Sequence, residues 1–168
     1  MERDRESASG RLAQRGLVLP APMPPFGEYV PAVRSGAQLW LGGHFGTRPD
    51  GSIWTGKVGS VVSLDEAQEA ARSAALSLLA TIEAELGSLD AVARVVRLYG
   101  VVNSTSDFLG HTAVVDAASA LLVDVFGDAG RHARLAVGVA ALPGDLVLEI
   151  EAVVDVVDPS STAAEGRA

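Results

Sequence analysis

The chain has 168 residues, 48% of them apolar, with no cysteine and a formal net charge of −8. This is one ordinary domain with enough apolar surface for a core, and it excludes disulfides, thiolate metal sites and cysteine nucleophiles. The acidity and the scattered basic residues argue against a nucleic-acid groove, no apolar run is long enough for a membrane span, and the charged start MERDRESASG lacks the apolar middle of a secretion signal, so a cytoplasmic protein is expected.

Residues 1–28 read as an N-terminal arm, with a short helix between Gly10 and Gly16. The stretch LPAPMPPFGEY holds four prolines, each lacking an N–H and fixing φ, so it is extended. A hairpin follows, Val30–Arg34 with Gln38–Leu41, turned at Ser35-Gly36. Residues 42–60 are glycine-rich, with a turn at Pro49-Asp50-Gly51. Ser63 caps the first long helix, and Glu66 three residues later completes a capping box. Ala67, Ala71, Ala74, Leu78, Ile82 and Leu86 form its apolar stripe, and Gly87 ends it. A strand spans Ala93 to Val102. The second helix starts near Ser106 or Asp107, shows Val114, Ala117, Leu121 and Val125 on one face, and ends at Gly127. A closing hairpin over 134–155 turns at Pro143-Gly144-Asp145. Residues 157–168 read as a disordered tail.

This order predicts an α+β domain over 29–156, with a mostly antiparallel sheet and two helices on one face. The central strands are apolar on both faces. Helices cover only one, so the other is expected to meet another subunit.

Most motifs have ordinary explanations. Gly51 to Lys57 resembles a phosphate loop, but Val58 stands where a magnesium-holding hydroxyl belongs, and no helix opens there. The histidines His44, His111 and His132 lack metal-ligand spacing, so no metal is expected. Ser104 and Ser106 precede a helix and read as caps rather than nucleophiles. Arg134, Glu149 and Glu151 are harder to dismiss, because they interrupt apolar strands. Strand parity sets Glu149 and Glu151 on one face of the last strand, opposite Leu148, Ile150 and Ala152. On the strand before, Arg134 alternates with Leu135 and shares its face with Ala136, Gly138 and Ala140, small residues that leave room for a ligand. Residues alone leave two readings open: a ligand site, or edge ion pairs and acids facing solvent.

HARLAVGVAALPGDLVLEIEAVV resembles the C-terminal signature of the RidA/YjgF family: an arginine strand, an LP turn and an EIEA strand. GEYVPAV is similar to that family's tyrosine motif, and LWLGGHFG sits where its SGQ usually falls. VDAASALLVDVFGDAGRHAR resembles the bacterial branch often labelled endoribonuclease L-PSP. The likeness runs from about Tyr29 to Val154. It implies a chorismate-mutase-like fold, a homotrimer with clefts between subunits, no cofactor, and hydrolysis of reactive 2-imino acids to 2-oxo acids and ammonia. It implies that Arg134 grips the substrate carboxylate, that Glu149 positions and activates water, and that Tyr29 lines the cleft. The family's serine is Gly42 here and its glutamine is His44, while its helix asparagine is replaced near His111 or Thr112. The alternatives are a non-catalytic protein that binds small carboxylates, and an L-PSP-type endoribonuclease, which the acidity disfavours.

Overall fold

The computed structural model describes residues 7–157. Eight regular elements follow one another: α1 (Ala8–Gln14), β1 (Ala32–Ser35), β2 (Gln38–His44), α2 (Leu64–Leu86), β3 (Val92–Asn103), α3 (His111–Phe126), β4 (Ala133–Val139) and β5 (Leu148–Val156). The strands form one sheet in the order β1-β2-β5-β3-β4. Three of its pairings are antiparallel, and only β3 with β4 is parallel. This is the expected α+β, chorismate-mutase-like architecture.

Helix α2 begins as its sequence dictates. Ser63 Oγ accepts from the Glu66 N–H at 3.2 Å, and Glu66 Oε2 accepts from the Ser63 N–H at 2.9 Å. Gly87 ends it at φ 79°, a left-handed conformation in which a Cβ would be strained. Its buried face is largely alanine, with Leu78, Leu79 and Ile82 toward the end. Small side chains let α2 lie close to α3 and to the sheet. Leu98, Ile150, Ala152 and Val154 fill the space beneath.

Two expectations need correction. The segment 134–155 is not a hairpin, because β3 lies between β4 and β5. Residues 140–147 step across that strand, a gap of roughly 10 Å or two strand spacings, through a short 3-10 turn at Pro143–Asp145. The parallel β3–α3–β4 crossover makes this possible.

Helix α3 starts at His111, not at Ser106. The backbone of Ser104 bridges to Val58, and Thr105 N–H donates to the Val58 carbonyl. These serines are held in a loop and cannot cap the helix. Gly110 occupies the cap position without a side-chain bond.

The residues alone left open which half of β4 meets the helices, and the pairing decides it. Arg134 is in register with Leu98, and Leu98 with Ala152. Both neighbours are buried beneath the helices. Arg134, Ala136 and Gly138 therefore face the helix layer, while Leu135 and Val137 share the open face with Glu149 and Glu151.

That open face is mixed rather than apolar throughout, as exposed Arg97 lies in register with Val153 and exposed Glu151 with Tyr99. Trp40 opposes Val153, and Val33 opposes Trp40. Val33, Trp40 and Leu135 are each about half exposed. Helix α1, by contrast, lies on α3: Arg11 Nε donates to the Val125 carbonyl, and Arg15 pairs with Asp124 at 2.8 Å. The expected tail lies outside the described residues apart from Val157, whose N–H donates to the Ala91 carbonyl. Among the described residues no helix is long and apolar enough to cross a membrane.

Candidate active site

Glu149 opens into a cavity of about 450 Å³ at one end of the sheet. The walls come from the proline-rich segment at Met23 to Phe26, from Tyr29, from Phe45 and from Leu146. Prolines 24 and 25 suit this place, since an extended wall has no ladder bond to lose. The rings of Phe26 and Phe45 lie 5.8 Å apart, and the Phe26 N–H donates to Tyr29 Oη at 3.1 Å. The phenol thus holds the arm over the cavity.

Within these apolar walls Glu149 is the one acid. Among the described residues no donor reaches its carboxylate and no cation pairs with it. Burial alone pushes its pKa above the ordinary carboxylate value. An acid in this setting takes and returns a proton near neutral pH more readily than a surface carboxylate.

A β-bulge shapes the cavity wall. Leu41 pairs with Ala152 but His44 pairs with Ile150, so β2 spends one more residue than β5 between those rungs. The extra residue brings Gly43 against Glu149. A Cβ on Gly43 would stand 3.1 Å from Glu149 Oε1. Gly42, the residue expected at this site from the family pattern, is turned aside: it is not among the cavity walls, and a Cβ there would meet only the Pro31 carbonyl at 3.6 Å.

The same bulge sends His44 to the helix side. Its Nδ1 lies 2.8 Å from the Gly42 carbonyl, and Nε2 lies 2.8 Å from Thr81 Oγ1. This network assigns the proton to Nδ1, with the Thr81 hydroxyl donating to Nε2. Burial lowers the histidine pKa and so favours the neutral ring. His44 borders the cavity, but its imidazole joins sheet to helix.

The remaining expected residues lie elsewhere. Arg134 donates from Nη1 to Asp116 Oδ1 at 2.5 Å and to Ser119 Oγ at 3.0 Å, both on α3. Within one chain it does not meet Glu149, because the two project from opposite faces of the sheet. Thr112 is exposed on the first turn of α3 and does not line this cavity. Gly43, Phe26 and Phe45 were not singled out from the sequence. The paired glycines at the end of β2 were the available signal for a bulge.

The arrangement suits a small molecule with an apolar body whose reactive carbon faces an acid. Among the described residues no cluster of acids and histidines could hold a metal ion.

Comparison with known proteins agrees with this architecture. The family model described as "YjgF/chorismate mutase-like, putative endoribonuclease" matches residues 9–151. The Trypanosoma cruzi protein TCP17 is 44% identical over 153 residues, covering 88% of this chain and 96% of that protein. The Agrobacterium tumefaciens protein Atu1372, of unknown function, is 38% identical with a TM-score of 0.80, over 89% of this chain and 94% of the other. RidA from a Psychrobacter species is 27% identical with a TM-score of 0.56, over 81% of this chain and 94% of its own. With its sheet order, its EIEA strand and a family match across most of its length, the chain belongs to the YjgF/chorismate mutase-like family.

Proposed function

We propose that this protein hydrolyses reactive 2-imino acids to 2-oxo acids and ammonia, in a cleft completed by a second copy of the chain. The observation that carries this reading is Glu149: a half-buried carboxylate without a partner among the described residues, facing an apolar cavity of small-molecule size. The ionised carboxylate takes a proton from water as the water oxygen attacks the iminium carbon. The new C–O bond forms while the C=N π pair moves to nitrogen. Glu149 returns the proton to that nitrogen, the C–N bond breaks, ammonia leaves, and loss of the hydroxyl proton gives the 2-oxo acid. One iminium plus one water give one ketone, one ammonia and one proton released to solvent, which replaces the proton that made the imine an iminium, with no cofactor.

The substrate carboxylate needs a cation, and the cavity of a single chain has none among its walls. Arg134 is the candidate from the family pattern, yet it lies on the other face of its own sheet. The reading therefore requires that the Arg134 serving one Glu149 come from a neighbouring copy. The open sheet face carrying Trp40, Val33 and Leu135 supports such an assembly, and a homotrimer is expected. Arg134 would then exchange Asp116 for the substrate.

The test is a steady-state assay on 2-imino acids released in situ by an amino-acid oxidase, following 2-oxo acid formation in the presence of a competing amine. Light scattering on the same sample reads the assembly. Hydrolysis lost in Glu149→Gln supports the reading. A wild type that binds 2-oxo acids but turns over no imine favours the carboxylate-binding protein, and a monomer at micromolar concentration removes the shared cleft.

A further inference from the structure

Three side chains with separate, ordinary readings in the sequence meet in one place. Lys57 closes the phosphate-loop lookalike, Ser104 belongs to the supposed helix cap, and His111 is one of the unpaired histidines. The structure brings them together in a second cleft of about 480 Å³, lined also by Thr105, Ser106 and Gly138. It shares no lining residue with the Glu149 cavity.

Each side chain is fixed. Lys57 Nζ donates to Asn103 Oδ1 at 2.5 Å and to the Ala140 carbonyl at 2.6 Å. Asn103 is fully buried, and its Nδ2 donates to Asp145 Oδ1 at 3.0 Å, so its oxygen must face the lysine. Two of the three ammonium donors are therefore spent on orientation, and the third is left for a ligand. Ser104 Oγ lies 3.0 Å from His111 Nε2, and the His111 ring is braced edge-on by Phe108 at 5.2 Å. A Cβ on Gly138 would collide with His111 Nε2 and stand 2.8 Å from Ser104 Oγ. Its φ is not left-handed. What glycine supplies there is space, and that space lets the histidine and the serine meet.

Lys57, three hydroxyl residues and one imidazole line this cleft, with no acid among them. In a chain of net charge −8, such a patch is complementary to an anion. One fixed ammonium with hydroxyl groups beside it matches a single negative charge better than the two of a phosphate. We propose that the Lys57–Ser104–His111 cleft binds the carboxylate of a small molecule. This assignment makes no use of Glu149, and it stands or falls apart from the imine reaction.

The test is an amide NMR titration of the full chain with acetate, and separately with inorganic phosphate, at constant ionic strength. Acetate should give saturable shifts at Ser104, His111 and Gly138. Lys57→Met should weaken that binding about tenfold or more, and Ser104→Ala about threefold, the scale of losing a charge-assisted and a neutral hydrogen bond. Glu149→Gln should leave the shifts in place. Shifts that never saturate, or that persist in a folded Lys57→Met, overturn the proposal, as does phosphate binding where acetate does not. Lys57→Met also strips Asn103 and Ala140 of a partner. Should it fail to fold, Ser104→Ala decides: unchanged acetate affinity sinks the site.

Discussion

Strands β4 and β5 flank β3 on either side, and each carries one charge of the expected site. They treat those charges in opposite ways. Arg134 on β4 turns toward α3, where Asp116 and Ser119 occupy its donors. Glu149 on β5 turns to the other face, among apolar walls, with no partner among the described residues. A satisfied charge is held in place, and using it costs the bond to Asp116. An unsatisfied, half-buried carboxylate is already displaced toward proton exchange. The acid is prepared within one chain, whereas the base-bearing strand becomes useful only when another molecule competes for it.

The largest expected effect breaks the acid side. Glu149→Gln keeps shape and loses the proton acceptor. It should lower turnover on imino acids by about 10²-fold or more, with 2-oxo acid binding largely kept. Steady-state kinetics and a binding titration together check this. Equal loss of turnover and affinity would mean that Glu149 holds substrate rather than activating water.

The next experiment tests whether the two strands serve each other across copies. Arg134→Met and Glu149→Gln should each be nearly inactive alone. Unfolded together and refolded at equal amounts, random trimers should regain about a quarter of wild-type activity, since three in four are mixed and each mixed trimer rebuilds one site of three. No recovery, with trimers intact by light scattering, would mean that Arg134 does not complete a neighbour's cavity. Arg134→Lys sharpens the same point. Charge survives but the planar fork is lost, so 2-oxo acid affinity should fall by about 1–3 kcal/mol.

These assignments differ in how far the residues themselves disclosed them. The burial parity of β5 is legible because both its neighbours run antiparallel and period two holds throughout. The capping box at Ser63 and Glu66 and the left-handed Gly87 are local and were legible too. The face of β4 was not. Its parity is as clear as that of β5, but which half meets the helices depends on β3 being inserted between them, a nonlocal fact. The bulge at Gly42-Gly43 was hidden for a similar reason: two glycines permit a register shift, but only the pairing with Ala152 and Ile150 shows that one occurs. The family pattern placed the polar contact at Gly42, one residue from the glycine that touches Glu149. The Lys57 cleft gathers residues from separate loops, the start of α3 and strand β4, and no spacing rule would have joined them.

A smaller effect probes that bulge. Gly43→Ala puts a methyl about 3.1 Å from Glu149 Oε1, so the carboxylate must move by a few tenths of an ångström. Turnover should fall several-fold with little loss of stability. Gly42→Ser puts its Cβ in ordinary contact with the Pro31 carbonyl at 3.6 Å and should fold as well as wild type, as thermal melts would show. If Gly42→Ser instead alters turnover more than Gly43→Ala, the cavity wall has been assigned to the wrong glycine.

The smallest effect is thermodynamic, and it reads the contrast between the two charges without any substrate. Burial raises the folded-state pKa of Glu149. The folded protein then binds this proton more tightly than the unfolded chain does. Stability from this group is fully present below the ordinary carboxylate value and is lost as pH rises through the raised one. Glu149→Gln has no such loss. The variant should therefore gain on wild type as pH climbs through the window between those values, and the difference should level off on either side. The side chain is half exposed, so solvent screening keeps the gain small, on the order of a few °C or less in Tm. His44 works in the opposite sense. Its pKa is lowered by burial, so its contribution is present above the ordinary histidine value and is lost on acidification. It is common to both proteins and cancels in the difference. Melts of wild type and Glu149→Gln across pH 4 to 8 would thus isolate Glu149, and a difference that does not change with pH would show that its carboxylate is not desolvated.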